Sequence, residues 1–561
     1  MPVLLRDLEV LVLDCQAGGA TPAHGDLLEI GWGVCAVPGL LEPVHDHWIV
    51  PRTQRRVPRA IRELTGWNEA CVQHALPEHE AWSALQEDIR LVAPDTSELA
   101  PTVIHFARFE LPFLRDLHDR HGQGEPFPFD TLCLHAIAAR LFPDLPRRNI
   151  RALAGYLGHS TDLIRRSAGH VIASAHIWRA LVPLLEPLGV DTWSALRTWL
   201  GETPLRARSK RRIYPLAPER RHSLPERAGV YRFLRCNGDL LYVGKAANLK
   251  RRVASHFSAR GRTHERALEL LTQVHSIDFT QTASILEAAL LESDEIKRLD
   301  PPYNVQLRAG ERQAWFAARD LRRAIPTPDT VHCIGPLPSQ GAISSLHALI
   351  ALADGAEPSA YLRAVALSVP MGFVPDGLLF AAGWRAFAAE HLTGAEANPA
   401  RRIDRASRSV WHARGRAELS SAQPDTPPDS WDLARVLRRL ERNLVQSGLL
   451  VRRARWLCLL AAADVAYRER DMGNARGLAI SRTTLLQRHD LESVANIHDL
   501  PMRRPPSLGE RQASFDAAGY DRLRVLATEL QRVLSEGGEV ALRFGAHVFT
   551  GQRLLQLMAS F

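Results

Sequence analysis

Five short groups of residues between Leu224 and Arg308 carry side chains suited to attack on a phosphate ester. In order they are Gly229-Val230-Tyr231, Tyr242-Val243-Gly244-Lys245, Arg251-Arg252, a lone carboxylate at Glu292 in an apolar run, and Pro302-Tyr303-Asn304-Val305. Phosphodiester hydrolysis needs an attacking water, charge stabilisation on the phosphoryl oxygens and help for the leaving oxygen. Two phenols, a guanidinium with a fixed fork of donors and one carboxylate are groups of the right types. Taken singly, each tyrosine reads as hairpin core and Glu287 as a solvated helix residue. The ordered set points to chemistry.

Local signals say how the set is held. Strand-forming residues flank Asn237-Gly238, a strong two-residue hairpin signal, so Tyr231 and Tyr242 come side by side on paired strands. A helix starting near Ala246 then carries Arg252 on the face toward that hairpin. This order resembles the GIY-YIG nuclease domain, and most of all the one that opens UvrC-type excision nucleases, over roughly residues 222–308. The resemblance implies that Glu292 is the ligand of one divalent ion, Mg²⁺ or Mn²⁺, held otherwise by water and phosphate. It implies Tyr231 as general base. A free tyrosine titrates at about 10, so Tyr231 needs a nearby cation, and Lys245 is the candidate. Tyr242 orients water, Arg252 braces the scissile phosphate, and Asn304 stabilises the end of the fold or contacts the phosphate. Arg251 reads as a phosphate contact or a surface charge. His256 stands where UvrC-type sequences have an aromatic hydroxyl, and it brings a group able to bind phosphate or move a proton.

Residues 8–185 alternate strands and helices, as in an α/β domain. Val10 to Gln16 reads as a buried strand, Leu27 to Val37 and Asp46 to Val50 as two more, and Thr102 to Leu114 as a strand entering a helix. The set resembles the DnaQ-like (DEDD) 3′–5′ exonuclease fold, which uses two metal ions, four carboxylates and a histidine base. Residue by residue, Asp14 is kept but Gln16 replaces a glutamate. His105-Phe-Ala-Arg-Phe-Glu110 resembles the second motif, with Glu110 for the aspartate. Arg165 stands for the base and His170 for the last carboxylate. A neutral amide is a weak ligand for a hard cation, so the expectation is a retained fold and a lost two-metal site. Arg165 and His170 read as helix-surface residues. A competing reading has Asp14, Glu110 and His170 hold one ion.

The chain of 561 residues is too long for one core. Its 46% hydrophobic and 24% charged composition is that of a globular protein. A formal charge of +8 is compatible with nucleic acid. Seven cysteines, none in C-x-x-C spacing, argue against a disulfide framework or zinc ribbon and fit a reducing cytoplasm. The N-terminus lacks a signal-peptide pattern, and the apolar run Ala364 to Gly383 is broken by prolines, so it reads as core and no membrane partner is expected.

The expected architecture is multidomain α/β: an RNase H-like exonuclease fold (1–195), a basic linker (196–221), a small α+β GIY-YIG domain (222–308), a UvrC-like extension (309–430) and a mixed α/β C-terminal region (431–561). In the linker, Arg208, Lys210, Arg211 and Arg212 read either as a solvated tether or as a phosphate-tracking arm. In the extension, His332 to Ser339 continues the UvrC-like pattern, Ser344 to Ala353 reads as a helix, and residues 392–430 as partly mobile. Further on, Asp432 to Ser447 reads as a basic amphipathic helix, Leu449 to Glu469 and Gly477 to Gln487 as strands, Tyr520 onward as a helix and Glu539 to Phe544 as a strand before a short final helix. The functional expectation is a metal-dependent repair endonuclease making a single nucleotide-excision-type cut in DNA, with UvrA/UvrB-like or replication proteins as partners. The alternatives are a 3′–5′ exonuclease with divergent ligands and a non-catalytic DNA-binding scaffold.

Overall fold

The structure, a computed structural model, describes the chain except residues 1–2, 38, 41–42, 54, 94–97, 161–163, 203–211, 259–263, 306, 308–313, 319–320, 322, 358–376, 393–398, 421–431, 552 and 555–561. It divides into two compact units. Unit 1 comprises Met1–Arg227, Tyr231–Gly244 and Asn248–Thr280; unit 2 comprises Ala228–Val230, Lys245–Ala247 and Gln281–Phe561. The division thus runs through the nuclease-like segment.

Unit 1 is built around β1 (Val10–Ala17), whose continuous apolar run is buried on both faces, as a central strand requires. It pairs antiparallel with β2 (Leu27–Ala36) and parallel with the strand Ala100–Ile104, which pairs parallel with Phe129–Cys133. The short strands β3 (Gly39–Leu40) and β4 (His45–Trp48) both join β2, and the two strands beyond β1 are β5 and β6. Alternate residues of β1 face opposite cores. Leu11 and Leu13 meet the helices Glu78–Val92 and Ala107–His121, while Val10 and Val12 meet the helices Leu134–Leu141 and Ser167–Leu185. With Arg59–Thr65 as α1, these are α2, α3, α4 and, after α5 (Ile150–Tyr156), α6. The expected α/β layout of alternating strands and helices is therefore present. By length and composition Ser167–Leu188 could cross a membrane, and among the described residues it is the one such helix. Its Val171, Ile177, Trp178 and Leu181 are fully buried in the same core as Val10 and Val12. The next helix, α7 (Trp193–Gly201), runs past the expected domain limit at 195, anchored by Trp193 Nε1 donating to Asp130 at 2.8 Å.

After α8 (Pro218–His222), the nuclease-like segment follows as β7 (Gly229–Leu234), β8 (Leu240–Ala246), α9 (Leu249–His256), α10 (Glu265–Gln273), β9 (Ser276–Gln281) and α11 (Ile285–Leu299), with sheet order β8-β7-β9. The hairpin has one more loop residue than Asn-Gly alone predicts. Arg235 N–H donates to Asp239 O at 2.9 Å around Cys236, Asn237 and Gly238, and Gly238 takes the left-handed conformation (φ 88°) that closes a three-residue loop. Within unit 1 this segment packs on the first domain: Asn149 donates to Glu269 at 2.8 Å, Tyr156 stacks on His275, and Asn237 donates to Gly158 O.

In unit 2, α11 starts at Ser284, whose hydroxyl accepts the Glu287 N–H, and ends at Asp300 in the left-handed region before Pro301-Pro302. A three-stranded sheet follows, in the order β11 (Ala324–Ile325), β10 (Trp315–Ala318), β12 (His332–Leu337). Then come α12 (Gln340–Ala353), α13 (Gly377–His391), α14 (Pro399–Ser420) and α15 (Leu433–Leu460). The last sheet is antiparallel in the order β15 (Thr484–Leu491), β14 (Ala475–Ser481), β13 (Asp464–Arg468), β16 (Glu539–Phe544), β17 (His547–Thr550), with α16 (Leu508–Ala513) and α17 (Ala517–Ser535) between β15 and β16.

Two expectations are corrected here. Residues 449–460 are helix, not strand, because the buried stripe of Leu440, Leu444, Val451 and Leu457 continues at helical spacing through α15. Part of the stretch read as mobile is α14, whose Ile403, Ala406 and Val410 bury one face despite an arginine-rich composition. Residues 393–398 and 421–431 of that stretch, most of the apolar run from Ala364, and the end of the final helix expectation lie outside the described residues.

The C-terminal sheet is tied by a buried ion pair. Arg543 donates to Asp464 Oδ2 through Nε at 3.0 Å and Nη2 at 2.7 Å, and Arg503 joins from the loop. Removing one partner of a buried pair strands the other charge. Asp464→Ala is expected to lower the stability of this region by about 3–5 kcal/mol in urea unfolding, and Arg503→Ala by less, since Asp464 then still holds Arg543.

Candidate active site

Strand β7 places Tyr231 fully buried, and β8 brings Tyr242 beside it with ring centroids 6.0 Å apart. The pair needs Gly244. A Cβ there would lie 2.6 Å from Tyr231 Cζ and Oη and 2.7 Å from Tyr242 Cε1, so any side chain would force the rings apart. Asn248 caps α9 by accepting the Arg251 N–H, and the helix carries Arg252 and His256 toward the hairpin. Tyr231 Oη and His256 Nε2 are 2.6 Å apart. Phe233 packs against both His256 and Tyr242. Burial, and then the Arg252 charge, push the His256 imidazole down to about 4. The ring is therefore neutral at pH 7, and in its Nδ1–H tautomer Nε2 accepts the phenolic hydrogen. Arg252 titrates above its usual value because Tyr231, and then Tyr242, lies beside it with side-chain hydrogen bonds to both. Arg251 is exposed.

Unit 2 holds the remaining residues. Glu292 is half-buried on α11, and its Oε1 accepts the main-chain N–H of Lys245 at 2.9 Å. Asn304 is buried in the turn after α11, with its N–H on Pro301 O. The expected role of Lys245 is corrected. Its ammonium is engaged by Glu529, 284 residues further along, whereas Arg252 lies beside Tyr231 and hydrogen-bonds to it. Glu287 is corrected too: it is buried, and it accepts from Arg476 Nε at 2.9 Å and Tyr467 Oη at 3.3 Å.

Among the described residues, one group of three metal-capable side chains brings its ligand atoms within 4.8 Å: Glu390, His391 and Glu441. Glu292 is outside it, and the Glu292 carboxylate has one oxygen already oriented by a main-chain N–H. A carboxylate so held fits a hard divalent ion that keeps most of its water.

The exonuclease-like residues also converge. His170 Nδ1 lies 2.9 Å from Asp14 Oδ1, Glu110 accepts the Cys15 N–H at 2.8 Å, and Gln16 donates to Arg165 O at 2.9 Å. The reading of His170 as a surface residue is corrected: it lies on Asp14. Burial alone would lower His170, but the Asp14 carboxylate outweighs it and raises the imidazole above its ordinary value. Burial, then Asp14, hold the Glu110 carboxyl well above the usual carboxylate range. Arg165 is exposed as expected and donates to Glu63 O. Of the linker cations, Arg212 is exposed, while Arg208, Lys210 and Arg211 lie outside the described residues.

Sequence reasoning missed Phe233, Asn248 and Glu529. The Asn248 cap was open to the N-cap rule, but nothing local marks Glu529.

Residues 227–305 match the family described as the UvrC-like GIY-YIG domain. A Mycobacterium tuberculosis protein whose name describes a bifunctional exonuclease/endonuclease is 30% identical over 366 residues, 63% of this chain and 53% of that protein. The UvrABC system protein C of Alkalilimnicola ehrlichii is 50% identical over 94 residues, 17% of this chain and 15% of that protein. The chain thus spans about half the length of the first relative and far less of the second. The GIY-YIG N-terminal endonuclease domain of UvrC from Thermotoga maritima, bound to its catalytic divalent cation magnesium, is 29% identical; the match covers 16% of this chain and 93% of that one, with a TM-score of 0.14. Escherichia coli exonuclease I with a dA16 oligonucleotide is 12% identical, covering 40% of this chain and 48% of that one, with a TM-score of 0.29. The stretch from residue 227 to 305, which holds the paired tyrosines, Arg252 and Glu292, is thus similar to the UvrC-like GIY-YIG domain.

Proposed function

We propose that this chain is a metal-dependent DNA endonuclease, and that Tyr231, Tyr242, Arg252, His256, Glu292 and Asn304 serve one scissile phosphodiester. The observation that carries the reading is the 2.6 Å contact between Tyr231 Oη and a neutral His256. Water forms a bond to phosphorus and the bond to the leaving oxygen breaks. The water proton passes to Tyr231 as the phenolic hydrogen passes to His256 Nε2, and the leaving oxygen takes a proton from solvent. His256 thereby does for Tyr231 what an external base would do. Arg252 binds the phosphoryl oxygens with its fork of donors. Glu292 would hold the divalent cation, Mg²⁺ or Mn²⁺, which when bound neutralises charge on the phosphate.

The exonuclease-like domain is read as catalytically silent, because Gln16 and His170 stand where the family has carboxylates, Arg165 stands for its base, and His170 already lies on Asp14 Oδ1. Arg208, Lys210, Arg211, Arg212 and Arg251 are proposed to track the DNA backbone. A single incision in a nucleotide excision-type repair, with UvrA/UvrB-like proteins loading the enzyme in the cytoplasm, is the finer reading, supported by the likeness to UvrC sequences.

The test is cleavage of end-labelled nicked, flapped and lesion-bearing duplexes with Mg²⁺ or Mn²⁺. Glu292→Gln and Arg252→Ala are each expected to lose about 10²–10³-fold in rate; wild-type rates in both would sink the assignment. Gly244→Ala, in a folded chain, is expected to lose activity as well by separating the tyrosines. His256→Phe is expected to lose about 10²-fold. Because His256 stays neutral until pH falls through about 4, the wild-type rate should hold from pH 7 to 5.5. A decline centred at pH 6.5 would contradict the relay.

A further inference from the structure

In unit 2 the carboxylate of Glu292 belongs to a closed circuit of charges that starts and ends on α11. Glu292 accepts the Lys245 N–H at 2.9 Å, and the Lys245 ammonium pairs with buried Glu529 of α17. The other oxygen of Glu529 accepts Arg532 Nε at 2.6 Å. Arg532 Nη2 donates to Glu469 at 2.6 Å, and Glu469 caps the start of α11 by accepting the N–H groups of Ile285 and Leu286 at 3.3 and 3.2 Å. Alongside the circuit, Leu286 and Leu290 lie in one core with Leu523, Leu526 and Leu530 of α17. Lys297 and Asp521 form a nearly dry ion pair at 2.8 Å, and Arg522 holds Asp294 at 2.9 Å. The start, middle and end of the helix that carries Glu292 are thus each held by the region after residue 460.

We infer that Glu529 is a positioning residue for Glu292: it fixes the Lys245 strand end whose N–H aims the carboxylate, and so makes the C-terminal region part of the nuclease's metal-holding apparatus. This rests on the reading of Glu292 as the metal ligand. A carboxylate held in one orientation loses little freedom when it takes an ion, so the circuit should show itself in metal affinity more than in the metal-saturated rate. Lys245 is the link, because its main chain touches Glu292 while its side chain touches Glu529.

The experiment uses the full chain and Mn²⁺ without DNA. Free Mn²⁺ is read by its electron paramagnetic resonance signal, and the Glu292-dependent component is taken as the difference from Glu292→Gln. Glu529→Gln is expected to weaken that component about tenfold and to raise the Mn²⁺ needed for half-maximal nicking by the same factor, while the saturated rate stays within about twofold. Glu529→Asp, which keeps the charge with a shorter reach, should give a smaller shift of the same sign. Melting curves establish that each variant is folded. If Glu529→Gln does not fold, Glu529→Asp decides. A titration that overlays wild type in a folded variant overturns the inference, provided Glu292→Gln is inactive and lacks the component. If Glu292→Gln itself binds and cuts like wild type, the metal-ligand reading fails first and takes this inference with it.

Discussion

A single carboxylate can organise a hard cation only if its own direction is settled beforehand. On the proposal that Glu292 holds the cation, that constraint falls on α11. Its apolar face enters the C-terminal core through Leu286 and Leu290, and its polar face turns Glu292 toward a main-chain donor. The helix would be marginal alone, since most helical stability in proteins comes from packing of one face. Its ends are fixed by Ser284 at the start and by the Asp300-Pro301-Pro302 stop, so the register of Glu292 follows from residues eight positions away on either side. Burying Glu287 with Arg476 and Tyr467 holds the same turn.

The tyrosine cluster obeys a different constraint, that of keeping a phenol useful near neutrality. Burial works against ionising Tyr231, which is wholly enclosed. The cluster answers with two neighbours of different kinds. Arg252 supplies a permanent positive charge, and His256 supplies an uncharged acceptor. The two are linked, because the Arg252 charge is one of the reasons that His256 stays neutral. A lysine in place of Arg252 would lose the planar fork that can serve a phosphate and the phenols together.

Much of the site was legible from the chain because its parts are local. Tyr231, Tyr242, Arg252 and His256 fall within twenty-six residues, on a hairpin and the helix after it. Hairpins and helices announce themselves by turn residues and apolar period. The α/β order of the first domain was legible for the same reason, and Val10 to Gln16 is the buried strand that its composition describes. What escaped was set by distance along the chain. Lys245 looks like a free cation beside a tyrosine until Glu529 is brought to it by folding. Glu287 looks solvated on an isolated helix, and only the arrival of β13 and β14 buries it. His170 looked like a surface residue because a lone histidine in a helix carries no sign that Asp14 will come within hydrogen-bond reach. The α15 misreading had another cause: Leu, Val and Trp suit strand and helix alike, and length decided for helix.

The His170–Asp14 contact bears on how a domain proposed to be catalytically silent keeps its acidic groups together. A cluster of buried carboxylates is self-repelling, and in a working two-ion centre the ions themselves relieve that repulsion. The His170 imidazole, raised above its ordinary value by the Asp14 carboxylate, and the Glu110 carboxyl, held well above the usual range by burial and then by Asp14, both shift the cluster toward less negative charge. A domain so arranged needs no dissolved ion to hold these groups together, so its fold should be indifferent to chelators.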